Sequence, residues 1–343
     1  MENEMSARER VLKLFKKEKV DRPPIFSGMG NITVPGLEPT HWNFAELHLD
    51  AEKMAKIAAS TSQLFGFECA VVPFDMGVEA EALGAGVNYY AHRTDIVYPT
   101  ITKKLADKFD DLKIQIPDWS KAGRIPLVAK AIQLLKEEVG EQLAIGAWVL
   151  GPYTLAAQLT DMGDLAKAAL KKTAQVEEVL MQLAEAIIQI ARIYRQAGAD
   201  YITVREMGGG PDIISPRIFK KLIQPPLAKI FSALESPKIL HICGSTDMIV
   251  EQMAECGADG LSVDQKNTLA ETRKKIGSEM LLFGNFDPYG TLVTMNASEV
   301  DQVVKNCFEA GINALWPGCD LWPDLKKENL QALMAAALKY GTI

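Results

Sequence analysis

Gln196-Ala197-Gly198-Ala199-Asp200 runs directly into Tyr201-Ile202-Thr203-Val204, and this join decides the fold. A glycine after a helical stretch stops the helix, and the β-branched residues that follow it predict a short buried strand. The same join recurs at Glu255-Cys256-Gly257-Ala258-Asp259-Gly260 before Leu261-Ser262-Val263, and at Glu309-Ala310-Gly311 before Ile312-Asn313-Ala314-Leu315. Repeated helix-to-strand units imply parallel strands joined by crossover helices. Upstream of the first join, Ala174 to Arg195 carries apolar residues at helical spacing with Glu, Gln and Arg between them, as an amphipathic crossover helix requires.

Adding the other short apolar runs gives eight strand candidates: Pro24–Phe26, Ala70–Phe74, Ala144–Val149, Tyr201–Val204, Ile239–Ile242, Gly260–Val263, Met280–Phe283 and Ile312–Leu315. Eight such units close a barrel, so the expected fold is α/β, a TIM (β/α)8 barrel. Residues 1–343 read as a single domain with an N-terminal extension and an insertion after the second strand, Tyr89 to Trp119, packed on the barrel. No low-complexity linker interrupts the chain, and Gly208-Gly209-Gly210-Pro211 reads as a loop on the functional face.

The 343 residues are 48% hydrophobic and 24% charged, enough apolar material for one large core. A formal net charge of −7 argues against nucleic acid or an anionic membrane as the partner, because both need a basic face. The charged opening Met1 to Pro24 has no signal-peptide run, and no segment approaches the ~20 apolar residues of a membrane span, so a cytoplasmic location is expected. Five cysteines are too few, and odd in number, for a disulfide framework. Cys69, Cys256 and Cys307 read as packing thiols.

In a parallel barrel the functional groups collect at the C-terminal ends of the strands. His241-Ile242-Cys243 closes the fifth strand, and alternation along a strand points residues 241 and 243 the same way. Cys319 follows the eighth strand in Leu315-Trp316-Pro317-Gly318-Cys319-Asp320. Three N/S donors from two loops suit zinc with one open position; the alternative is two ordinary buried thiols and a core histidine. Asp264 and Glu206 are candidates for proton handling or substrate positioning, and Asp264 is equally readable as a loop-capping carboxylate. Asp75, Trp148, Tyr153, Asn285, Trp316 and Trp322 lie at strand ends as candidate substrate contacts, whereas Glu79 and Glu81 read as solvated helix charges. Phosphate-loop, nucleophile-elbow and dinucleotide-binding signatures are absent.

At His241-Ile242-Cys243-Gly244, Leu261-Ser262-Val263-Asp264, Gly284-Asn285 and Pro317-Gly318-Cys319 the chain resembles the uroporphyrinogen decarboxylase superfamily. Within it, the resemblance is to the corrinoid-linked branch typified by methylcobamide:coenzyme M methyltransferases, over nearly the whole length. It implies a TIM barrel with Zn2+ on His241, Cys243 and Cys319, and a separate corrinoid-binding protein that presents cobalamin at the barrel mouth, since the chain has no D-x-H-x-x-G signature. The small molecule is then a thiol acceptor such as coenzyme M, or a methylated donor. Trp148, Trp316 and Trp322 around the site favour a methoxylated aromatic, because a flat ring would stack there. Porphyrinogen decarboxylation is the competing activity, since Asp75 sits where those enzymes keep an aspartate, although the arginine-rich N-terminal motif is missing after Asp21-Arg22-Pro23-Pro24. A zinc-stabilised scaffold without catalysis is the other.

Overall fold

The computed structural model describes residues 5–341. In chain order its strands are β1 (Cys69–Val72), β2 (Gly86–Asn88), β3 (Thr100–Lys103), β4 (Ala144–Leu150), β5 (Tyr201–Arg205), β6 (Lys238–Ile242), β7 (Gly260–Val263), β8 (Leu281–Phe286) and β9 (Ala314–Pro317). All but β2 and β3 form one parallel sheet, in the order β1-β4-β5-β6-β7-β8-β9. Helices fill the crossovers. The longest, Thr173–Ala197, buries Val176, Leu180, Leu183, Ile187 and Ile190, the three-to-four spacing of one helical face, and stops at Gly198 with φ 117°. A left-handed backbone there is open to glycine at no steric cost, which is why the join is written with that residue.

Seven of the eight expected strands are present; the first is not. Pro24–Phe26 makes only an isolated parallel bridge, Ile25 to Leu315. The reason is in the sequence: two successive prolines have no N–H to extend a ladder. The segment nevertheless touches both edges of the sheet. Leu315 N–H donates to Pro24 O at 3.0 Å, and Glu68 N–H, just before β1, donates to Ile25 O at 2.9 Å. The two edges of the sheet therefore curl round to opposite sides of the same three residues. The buried Glu68 carboxylate holds them there, accepting from Ile25 N–H at 2.7 Å, from Arg22 at 2.9 Å and from Arg10 of the N-terminal extension.

Inside the curl lies an aromatic cluster. Trp316 is fully buried, stacked on Phe283 at 5.2 Å and edge-on to Phe26 at 4.7 Å. It fits because Gly28 has no side chain: a Cβ there would lie 2.8 Å from the indole and 1.9 Å from Thr203 Oγ1.

Within the stretch expected as an insertion, β3 pairs antiparallel with β2, which lies just before it. Near it, Glu79 and Glu81 depart from the solvated role expected of them. Glu81 accepts from Arg124 Nε at 2.6 Å, and Glu79 is fully buried, accepting Leu150 N–H at 3.0 Å. Burial pushes the Glu79 carboxyl from 4.5 up to about 7. A folded carboxyl that titrates later than the unfolded one loses stability as pH rises from 4.5 to 7, with no further loss above. Glu79→Gln keeps the acceptor and removes the ionisation. Its stability relative to the parent should rise between pH 5 and pH 8 by roughly 1–3 kcal/mol. Urea unfolding at both pH values measures this, and a difference independent of pH would refute it. No helix among the described residues is long and apolar enough to cross a membrane.

Candidate metal centre

Strand register assembles the site. Arg205 pairs with His241, and His241 with Ser262, so three polar side chains stand in one row across β5, β6 and β7 and face the same side of the sheet. His241 Nδ1 lies 2.9 Å from Ser262 Oγ, which fixes the ring and turns Nε2 toward Cys243 Sγ at 3.0 Å. Cys319, from the loop after β9, brings its sulfur to 3.7 Å from that of Cys243. The two distant stretches thus converge.

These donors can be tested against a tetrahedral ion. Zn–S of about 2.3 Å and Zn–N of about 2.0 Å separate two sulfurs by roughly 3.8 Å and sulfur from nitrogen by roughly 3.6 Å. The sulfur pair at 3.7 Å fits. The His241–Cys243 contact at 3.0 Å is tighter, and among the described residues no group of three or more His, Cys, Asp or Glu side chains is already spread around a coordination point. Widening that one contact by about half an ångström is what an ion would require of them. The chemistry of the set suits a thiophilic cation. Burial and the neighbouring Arg205 charge push the His241 ring down to about 3, so its lone pair is free. The contact between the sulfurs favours one shared proton, holding Cys319 below and Cys243 above the ordinary thiol range. Cys69, Cys256 and Cys307 are buried free thiols.

Cys319 opens on a cavity of about 1160 Å³ at the C-terminal ends of the strands. Of the expected substrate contacts, Asp75 and Trp322 line it. Trp322 is half exposed and meets Tyr289 edge-on at 5.3 Å. Asp75 is buried, with its carboxylate filled by His48 Nδ1 at 2.8 Å, Arg124 Nη1 at 2.6 Å and Nη2 at 2.9 Å, and Gly77 N–H at 2.9 Å. Burial alone would raise its pKa; the Arg124 and His48 hydrogen bonds outweigh that and hold it well below the usual carboxylate range.

The other candidates do not line the cavity. Trp148 is fully buried and donates to Pro73 O at 2.7 Å, and Trp316 belongs to the aromatic cluster. Glu206 is fully buried and bound to the start of the helix Pro152–Leu159, through Tyr153 N–H at 2.9 Å, Thr154 N–H at 2.8 Å and Thr154 Oγ1 at 2.5 Å. Burial raises its carboxyl to about 7 against those donors. Tyr153 is buried beside it. Asp264 accepts Gly244 N–H and Lys266 N–H, both at 2.9 Å, the loop-capping alternative. Asn285 donates to Asp264 O and Asn267 O at 2.9 Å. Asp264 thus braces the turn that follows Cys243, and Asn285 holds the loop that carries Asp264.

Sequence reasoning missed Arg205 and Asp320 as site residues. Both line the cavity beside Cys319, and Arg205 donates bidentately to Asp320 at 3.1 and 2.5 Å. Their signal was available: a charged residue closing a strand, and a carboxylate next to a candidate ligand. Tyr98 and Lys104, also on the wall, come from the insertion, which carries no such signal.

A family model described as uroporphyrinogen decarboxylase (URO-D) matches residues 6–340. Over 339 residues the chain is 33% identical to the methylcobamide:CoM methyltransferase MtaA of Methanosarcina barkeri (strain Fusaro / DSM 804), covering 98% of this chain and 99% of that one. It is 28% identical over 342 residues to the methylcobamide:CoM methyltransferase MtbA of Methanosarcina acetivorans, with 98% and 99% covered. A solved methyltransferase from Methanosarcina mazei superposes with a TM-score of 0.92 at 31% identity, covering 98% of this chain and 99% of that one. Matches that run from end to end in sequence and in backbone leave one conclusion: the chain belongs to the uroporphyrinogen decarboxylase family, on its branch of corrinoid-linked methyltransferases.

Proposed function

We propose that this chain is a zinc-dependent methyltransferase that moves a methyl group from the cobalt of a corrinoid, carried by a separate protein, onto a small thiol. The observation that carries the reading is the meeting of His241, Cys243 and Cys319, the last of which lines a large cavity, in a chain similar to methylcobamide:CoM methyltransferases. We treat residues 1–343 as one domain and the curled sheet as a barrel whose first strand is reduced to Pro24–Phe26.

Zinc held by these donors would lower the pKa of a thiol bound beside it and keep a reactive thiolate at neutral pH. The chain's own residues prepare the place. Ser262 sets the imidazole, Asp264 braces the loop of Cys243 and is itself held by Asn285, and the buried Arg205 cation favours anionic sulfur nearby. Leu321 and Trp322 give the cavity wall beside Cys319 an apolar face. A methoxylated aromatic donor loses its main support, because two of the three tryptophans that would have walled a flat ring are buried elsewhere.

The test is a screen of thiols, methoxyarenes and methylamines with methyl-cobalamin or cobalt(I)-cobalamin, read by the visible spectrum of the corrin. Demethylation of methyl-cobalamin by a thiol, with the thioether formed in step, is expected. Decarboxylation of uroporphyrinogen without any corrinoid would overturn the reading.

A further inference from the structure

Two of the five cysteines differ from the rest in what their sulfurs can reach. Cys69, Cys256 and Cys307 are closed off, exposed by 0%, 2% and 4%, and the Cys69 sulfur already accepts from Ser27 N–H at 3.2 Å. Cys243 and Cys319 are half-buried free thiols whose sulfurs stand 3.7 Å apart, although 76 positions separate them in the chain. A disulfide needs an S–S distance of about 2.05 Å, so a bond would draw the two sulfurs together by roughly 1.7 Å. Both residues lie just beyond a strand end, after β6 and β9, so closure moves side chains and loops and leaves the sheet in place.

The two sulfurs are not equivalent. Cys319 lines the cavity and meets whatever enters it, whereas Cys243 does not line it and stands behind, its sulfur also 3.0 Å from His241 Nε2. Thiol–disulfide exchange asks for this arrangement: one sulfur that a small molecule can reach, and a second that can reach the first.

We propose that Cys319 and Cys243, when free of metal, form a dithiol–disulfide couple in which Cys319 attacks a small disulfide entering the cavity and Cys243 resolves the product. In the first step the Cys319 sulfur bonds to one sulfur of the small disulfide, whose S–S bond breaks; the other half leaves and takes up the proton that Cys319 gave up. In the second step Cys243 attacks the Cys319 sulfur, forms the Cys243–Cys319 bond and expels the remaining half as a second thiol. One small disulfide is reduced to two thiols, and the chain loses two hydrogen atoms. The small disulfide is the only oxidant required. A closed pair has no thiolate to offer a cation and leaves His241 as the lone donor of the set, so the bond and the metal exclude each other. The couple is thereby a redox switch on metal uptake. It stands on the sulfur geometry; only its consequence for zinc rests on the reading above.

The test uses the full chain, stripped of metal by a chelator and incubated with bis(2-hydroxyethyl) disulfide. Free thiols counted in denaturant should fall from five to three, the intact mass should drop by two hydrogens, and digestion should yield a cross-linked peptide joining Cys243 to Cys319. Cys243→Ala should stop at the mixed disulfide, with one hydroxyethylthio group on Cys319. Cys319→Ala should react at least about 10-fold more slowly, because its remaining sulfur stands away from the cavity. Zinc added before the oxidant should slow the loss of thiols by at least about 10-fold, and the oxidised chain should bind no zinc until dithiothreitol reopens the pair. Five thiols retained, a mixed disulfide that persists on Cys319 in the parent, a cross-link between other cysteines, or zinc bound by the oxidised chain would overturn the proposal. The parent chain decides, so a variant that fails to fold leaves the test intact. A reduced chain that takes up no zinc and still closes the pair would sink the metal reading and leave the couple standing.

Discussion

On the proposed zinc chemistry, Cys319→Ala should abolish metal binding and lower methyl transfer by at least about three orders of magnitude, well beyond the 10–100-fold that follows from losing a partner outside the ligand set. The argument is one of donor count. Three side chains are available, and two cannot hold a labile divalent ion against solvent while leaving a place for substrate. Cys243→Ala should behave alike, since both sulfurs belong to the same 3.7 Å pair. Neither change should unfold the chain. Both thiols are only partly buried, both follow strands and lie outside them, and the sheet below is carried by a separate aromatic cluster around Trp316. A stability loss within about 1 kcal/mol is therefore expected. Ser262→Ala supplies the graded control: the ring of His241 loses its Nδ1 partner but keeps Nε2 in place, for a drop of about 10–100-fold in metal affinity or rate. Elemental analysis, far-UV dichroism and the corrin spectrum measure the three quantities. Full metal content in Cys319→Ala would remove that sulfur from the set.

How far the sequence foretold this site depends on how local each feature is. The helix-to-strand joins are local, because the glycine that ends a helix and the β-branched run after it are adjacent; the strands β5 and β7 fall where those joins predict, and β9 starts two residues later than expected, at Ala314. His241 and Cys243 share a face by alternation within one strand, so their pairing was legible too. Cys319 needed the further rule that loops gather at one end of parallel strands. Features set by packing were not legible. Trp148, Trp316 and Trp322 look alike in the sequence, yet an indole turned inward meets Arg205 or Phe283 while one on a loop meets the cavity, and only tertiary context separates them. Glu206 is the same kind of case, since a carboxylate at a strand end serves a cavity or a helix start according to the turn beside it. Pro24–Phe26 failed differently: its residues sit in a strand's place and bond to both edges of the sheet, but Pro23 and Pro24 have no N–H with which to lengthen the ladder.

Asp75→Ala is the second change with a large expected effect, and it acts on stability. The deleted carboxylate is the partner of a buried cation, and Arg124, 4% exposed, would keep only Glu81, while His48 Nδ1 and Gly77 N–H would lose their acceptor. Removing one side of a buried ion pair costs about 3–5 kcal/mol, most of it from the charge left behind. Asp75→Asn preserves the shape and should cost less at neutral pH, and the pH dependence of the gap identifies the cause. The Asp75 carboxyl titrates well below its ordinary 3.8 in the folded chain, because Arg124 and His48 outweigh burial. Its contribution is therefore complete above 3.8 and disappears as pH falls toward the folded pKa. Urea unfolding of the parent and Asp75→Asn should show the widest stability gap near pH 7, and a gap that narrows once pH drops below 3.8. A gap that stays constant across that range would mean that Asp75 holds the cavity wall by shape alone, with no share for its charge.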